Sequence, residues 1–274
     1  MKRLFLCLLL LLGAASAQGK TTTSVPSFDH SEWNQFLQKF VNAEGEVDYQ
    51  SAFKDRTLLV RYLRKLHAIS PQEFKKWPRE ERLALFINAF NAGVVKSILR
   101  RYPVKTVLDI PGFWDNGIVL IASKARGNTY SLNLILEQIL RRQFRDEKAL
   151  FALVYGAKGS PRLRREAYDG RRLEGQLYLA VKEFVNDGTK NEIKVGEKKL
   201  VLSRLFKWYG KDLLLNWGNF VEEVKWDPEE MAALSLVVHY LEDPAKVKYM
   251  KESEYKVKYA LFDWRLNDRT PANS

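Results

Sequence analysis

The chain has 274 residues, 46% of them hydrophobic and 28% charged, with 45 Lys or Arg against 33 Asp or Glu and a net charge of +12. These proportions exclude a disordered tail or a fibre, and the length fits one large domain or two small ones. Aromatic residues make up 12%, including seven Trp, which predicts a well-filled core or an aromatic-lined groove.

The first seventeen residues read as a secretory signal. Lys2 and Arg3 form a positive start, Leu4 to Leu12 a short apolar run, and Ala15-Ser16-Ala17 an A-x-A cleavage site that leaves Gln18 as the new N-terminus. The apolar run is too short to span a bilayer as a stable helix. The expectation is therefore an exported protein, periplasmic or extracellular, with no transmembrane span and no intracellular nucleic acid as partner. Removing Lys2 and Arg3 lowers the net charge from +12 to +10. The only cysteine, Cys7, leaves with the signal, so disulfides, thiolate metal sites and a cysteine nucleophile are excluded together.

Residues 18–26 form a polar, Thr/Ser-rich lead expected to be disordered. Asp29 and Glu32 then predict a capping box, followed by Trp33, Phe36, Leu37, Phe40 and Val41 at helical spacing. Leu58, Leu59, Tyr62, Leu63 and Leu66 repeat that period. Ser70-Pro71-Gln72-Glu73 predicts an N-cap, a first-turn proline and a short helix. The stretch from Pro78 to Arg101 is the strongest helix. Its middle, from Leu83 to Val95, is apolar almost all round, which predicts burial on most faces.

Ile118 to Ser123 reads as a strand and Ser131 to Arg145 as an amphipathic helix on Leu132, Ile135, Leu136, Ile139 and Leu140. Phe151 to Tyr155 is a short apolar run of strand type, and Leu173, Leu177, Ala180, Val181 and Phe184 mark a later helix. Ile193-Lys194-Val195 and Leu200-Val201-Leu202 flank Gly196-Glu197 as a hairpin. Asp227-Pro228 opens a helix through Tyr240, and Tyr255, Val257, Tyr259 and Leu261 alternate as a closing strand. No repeat or linker divides residues 27–274. The expected fold is a single helix-rich α+β domain with short strands in a small mixed or antiparallel sheet.

His30, His67 and His239 stand at no metal-binding spacing, and no metal is expected. His239, beside Val237, Val238 and Leu241, is expected as a packed, hydrogen-bonded side chain. Neither a nucleophile elbow nor a phosphate or dinucleotide loop is present, so no cofactor is expected either. Two features remain. Asn88 and Asn91 lie one turn apart on the buried helix, where an amide is costly without partners. They form either the polar wall of a cleft or a clamp on neighbouring loop backbone. Ser160 follows an apolar run and a glycine-containing loop, and precedes Pro161. It is either a nucleophile at a strand-to-helix turn or an ordinary N-cap of a helix starting at Pro161.

The order of several motifs resembles the domain of unknown function 547 family. Leu85-Phe86-Ile87-Asn88-Ala89-Phe90-Asn91-Ala92 is similar to that family's F-W-I-N-x-Y-N-A helix. Phe151-Ala152-Leu153-Val154 with Gly156-Ala157-Lys158, Leu202-Ser203-Arg204-Leu205-Phe206-Lys207-Trp208-Tyr209 and Asp263-Trp264-Arg265-Leu266-Asn267 follow in the family's order. The resemblance implies a histidine at position 150, cysteines at 155 and 160, and an I-E-H triplet at 135–137. This chain carries Leu150, Tyr155, Ser160 and Ile135-Leu136-Glu137 there. A thiolate needs a neighbouring base, and both are missing, so a Cys–His activity does not carry over.

Between Arg141 and Arg172, ten Lys or Arg face four Asp or Glu, a local charge of +6. This is either a solvated face or an anion-binding rim of arginines that fork onto carboxylate or phosphate. Asn88, Asn91, Lys158, Ser160, Arg162, Arg164 and Arg165 are the candidate ligand-binding residues. The leading expectation is a non-catalytic binding or scaffold protein for an anionic envelope component: a glycan, a lipid or an acidic protein. The alternatives are an envelope hydrolase or acyl transferase using Ser160, and a structural partner within an envelope complex.

Overall fold

The structure is a computed structural model that describes residues 27–121, 129–218 and 227–269. The expected signal and polar lead, and the end of the expected strand at 122–123, lie outside the described residues. The described elements are α1 (Ser31–Phe40), α2 (Tyr49–Lys54), α3 (Thr57–Ala68), α4 (Pro71–Phe74) and α5 (Arg79–Leu99). After a 3-10 turn come β1 (Val119–Leu120), β2 (Thr129–Tyr130), a π-helix (Leu134–Phe144), α6 (Glu147–Leu150) and α7 (Leu173–Val185). The chain continues through β3 (Glu192–Ile193), β4 (Lys199–Leu202), α8 (Arg204–Trp208), α9 (Gly210–Trp217), α10 (Pro228–Tyr240), α11 (Pro244–Glu252) and β5 (Lys256–Tyr259).

The fold is helix-rich α+β, with one continuous apolar core from Trp33 to Leu266. Its axis is α5, whose residues Leu83 to Val95 are all buried, as all-round apolarity requires. Each large aliphatic or aromatic side chain buried there contributes about 1.5–3 kcal/mol. α5 is long and apolar enough to cross a membrane, but 89% of its most apolar window is covered by the rest of the protein. Its neighbours are α2, α3, β1, the π-helix and α7. Lys96, near its end, reaches out to donate to the Ile118 carbonyl at 2.7 Å.

The stripe Leu132, Ile135, Leu136, Ile139, Leu140 is buried as its spacing predicts, although the helix carrying it is wider than an α-helix. Arg145 closes it with φ +52° and a 3.0 Å bond from its N–H to the carbonyl of Leu140, five residues back. β3 and β4 form the predicted antiparallel hairpin, turned at Gly196 (φ +87°). β5 joins β4 in parallel, with Leu202 opposite Tyr259, so the three-stranded sheet is mixed. A second sheet pairs β1 with β2.

Three local expectations are corrected. Asp29 and Glu32 do not make a capping box. Asp29 accepts from Ser31 N–H at 2.9 Å, and Lys65 binds both carboxylates, at 2.5 and 2.6 Å. The attraction of one cation to both acids replaces the reciprocal cap. Phe151–Tyr155 is not a strand but a turn followed by irregular backbone, whose Ala152 carbonyl and Val154 N–H are taken by a side chain of α5. No helix starts at Pro161, and the chain stays irregular until α7.

Candidate functional site

Asn88 and Asn91 are 0% and 2% exposed, and both act on backbone. Asn88 Nδ2 donates to the Tyr168 carbonyl at 2.8 Å while Oδ1 accepts from Tyr168 N–H at 3.0 Å. Asn91 repeats the device one turn along. Its Nδ2 donates to the Ala152 carbonyl and its Oδ1 accepts from Val154 N–H, both at 3.0 Å. Each amide meets a donor and an acceptor of an irregular segment, which removes the cost of burying either partner. His30 packs beside Asn88, with Nδ1 2.9 Å from the Tyr62 hydroxyl. Burial holds its imidazole down at about 4. The two asparagines therefore clamp loops to the core helix and line no cleft.

The clamped loop continues into Tyr155 and Ser160. Ser160 is 2% exposed, and its hydroxyl accepts from Tyr155 N–H at 3.0 Å, which closes the loop on itself. No helix follows to be capped or to present a nucleophile. No imidazole is among its hydrogen-bond partners: His30 is engaged as described, and His239 stacks edge-on against Trp217 and Tyr240. His239 is exposed, which corrects the expectation of a packed side chain, since it falls on the solvent side of α10. The other departure positions hold Leu150, buried, Tyr155, hydroxyl-paired with Tyr209, and Glu137, bound by Arg141 at 2.7 Å. Burial pushes both tyrosine hydroxyls well above their ordinary range.

Beyond Ser160 the loop forms one wall of a groove of about 440 Å³. Gly156 (φ +70°) turns the chain where a Cβ would lie 2.6 Å from Ile98. At Gly159 a Cβ would lie 2.8 Å from the Asp263 nitrogen. That close approach allows Gly159 N–H to bond the Asp263 carbonyl at 2.9 Å and Lys158 N–H the Arg265 carbonyl at 2.8 Å. The opposite wall comes from the parallel pairing of β4 and β5, which sets Ser203 and Arg204 beside Ala260, Leu261 and Phe262.

The groove brings together Lys158, Ser160 and Arg162 of the predicted set, and adds Lys190, Arg204 and Arg265. Most of these cations are already paired. Lys158 lies 3.4 Å from Glu46, Arg162 3.5 Å and Lys190 2.7 Å from Asp187, and Arg265 2.5 Å from Asp263. Burial would raise the Asp187 carboxyl, but hydrogen bonds from Lys190 and Thr189 outweigh it and hold it low. Arg204 is exposed and makes no ion pair among the described residues.

Arg164 and Arg165 lie in a neighbouring hollow. Arg164 is not a surface charge: its side chain is 14% exposed and it binds Glu183 at 2.7 Å and Glu166 at 3.1 Å. Arg165 donates to the Gln38 carbonyl at 3.2 Å. The local +6 of the sequence is thus largely offset by acids from outside that segment, including Glu46, Glu137, Glu174, Glu183, Asp187 and Asp212. A separate open hollow gathers Arg142, Arg145 and Lys211 beside Leu215. Among the described residues no group of three or more His, Cys, Asp or Glu is placed to hold a metal ion.

The aromatic content raises an aromatic-lined groove as one of two readings, without saying which residues would form it. Phe262 lines it, with Trp208 5.0 Å and Trp264 4.5 Å away between ring centroids. Trp208 is 40% and Leu261 91% exposed. The two tryptophan-bearing motifs were visible separately; only strand pairing brings them together.

The family described as "Protein of unknown function, DUF547" matches residues 74–185, less than half of the chain. This span holds α5, both clamping asparagines and the 150–165 loop, whereas the motifs around Trp208 and Trp264 lie outside it. No curated protein and no solved structure matches the chain.

Proposed function

We propose that this is an exported, non-catalytic binding or scaffold protein that takes an anionic envelope component in the groove between Lys158 and Arg204. The observation that carries this reading is the lining itself. Five cations meet in one concave site, Arg204 makes no ion pair among the described residues, and the pair at Lys158 is long and exposed enough to exchange for a ligand carboxylate or phosphate. Non-catalysis is supported by Ser160, whose buried hydroxyl serves the Tyr155 backbone and has no base beside it. Export rests on the leader pattern from Lys2 to Ala17.

The test is calorimetric titration with polygalacturonate and with phosphatidylglycerol vesicles, each against its neutral counterpart. An anionic probe should bind, and binding should weaken steeply as salt rises, because exposed charges are screened within about 8 Å at physiological ionic strength. Arg204→Glu should weaken it and Ser160→Ala should leave it intact. If neutral and anionic probes bind alike, or if Arg142→Glu with Arg145→Glu abolishes binding while Arg204→Glu does not, the groove reading fails.

A further inference from the structure

We infer that the occupant of the groove is an anionic glycan, one sugar ring of which stacks on the aromatic step formed by Trp208, Phe262 and Trp264; this rests on the groove reading above and narrows it. The step is continuous with the groove through Phe262, whose ring also packs against the bare backbone of Gly159. Trp208 lies 5.0 Å from Phe262 and 6.1 Å from Trp264, centroid to centroid, and Trp114 extends the cluster 6.4 Å beyond Trp264. A tryptophan left 40% exposed on a five-residue helix forgoes much of the burial that a large aromatic ring gains in a core. Partly exposed indole rings suit the apolar C–H face of a pyranose.

The groove beside the step has the complementary chemistry. It mixes the cations Lys158, Arg162 and Arg204 with the acids Glu44, Glu46 and Asp263. Such a surface can bind ring carboxylates and also accept from many hydroxyls. A lipid acyl chain would instead need a continuous apolar trough.

The experiment follows tryptophan fluorescence during titration with oligogalacturonate, with maltohexaose as the neutral glycan and phosphatidylglycerol vesicles as the anionic lipid. Oligogalacturonate should quench the emission and bind more tightly than either. Trp208→Ala should weaken it by about tenfold, the scale of removing one aromatic anchor. Trp208→Phe should restore most of the loss, which a merely folding-related defect would not predict. If Trp208→Ala binds oligogalacturonate as the parent does while Arg204→Glu weakens it, the aromatic step is overturned and the groove reading stands. If vesicles bind and oligogalacturonate does not, the glycan is overturned. If no anionic probe binds at low salt, both readings fall.

Discussion

The α5 clamp and the groove are both dense in polar atoms, and the same loop, residues 150–165, runs from one to the other. At the clamp, each amide of Asn88 and Asn91 meets backbone that no helix or sheet serves, at 2.8–3.0 Å and out of water. In the groove the cations meet other side chains: Lys158 and Glu46, both partly exposed, lie 3.4 Å apart, while the buried Asp187 holds Lys190 at 2.7 Å and Arg162 at 3.5 Å. The first arrangement has little to offer a ligand, because each amide is buried and bound to backbone through both its nitrogen and its oxygen, at a high cost of release. In the second the Lys158–Glu46 pair is loosely committed, and its exchange costs little. Polarity alone is therefore not what separates a site from a strut; the identity and exposure of the partner is.

The largest expected effect tests the clamp. Asn91→Leu removes the partners of the Ala152 carbonyl and Val154 N–H, and should destabilise the fold by about 4 kcal/mol in a denaturant melt, the middle of the range for two orphaned buried groups. A loss below about 1 kcal/mol would mean that the loop finds other partners. Next is the pH dependence of the same region. Folded His30 takes a proton only at about pH 4, while the unfolded side chain takes one near 6.5. The unfolded state thus binds more protons between those values. Stability should be full above about pH 6.5 and fall by about 3 kcal/mol as the pH drops toward 4. Glu81, whose carboxyl is raised by burial, works in the opposite sense, so the comparison is with His30→Gln, which should lack the fall. Equal slopes in parent and variant would show that water reaches His30.

Ser160→Ala sits where the two regions meet. It leaves Tyr155 N–H without its acceptor and should cost about 1–3 kcal/mol of stability while leaving groove binding unchanged. Loss of a measurable hydrolysis in that variant would instead make Ser160 a nucleophile. The smallest stability effect should come from Arg204→Glu, within about 0.5 kcal/mol in thermal melts, even though it weakens binding of an anionic probe. A large drop in melting temperature would show that Arg204 belongs to the frame.

The helices were legible because their signal is local. The period of Trp33 to Val41, the all-round apolarity of Leu83 to Val95 and the Asp227-Pro228 start each lie within a few turns of chain. Asn88 and Asn91 were legible as a pair of alternatives, and their partners, 61 and 80 residues away, chose between them. Phe151–Tyr155 misled because its apolar composition fits a strand, whereas a side chain rather than a neighbouring strand satisfies its backbone. The +6 segment misled for a similar reason: charge counted along the chain ignores Asp187, Glu183 and Asp212, which reach it from other elements. The aromatic step was invisible because it depends on the parallel register of Leu202 with Tyr259.

The segment from Asp263 to Arg269 bonds to three stretches synthesised long before it: Asn267 and Arg269 to Val47, Leu266 to Lys105, and Asp263, Arg265 and Asn267 to the loop 156–159. These ties span much of the described chain, and closing such wide loops is the slow part of folding. The clamp needs only α5 and the next eighty residues. During synthesis, then, the clamp can assemble while the groove still lacks the wall that the segment up to Arg265 supplies.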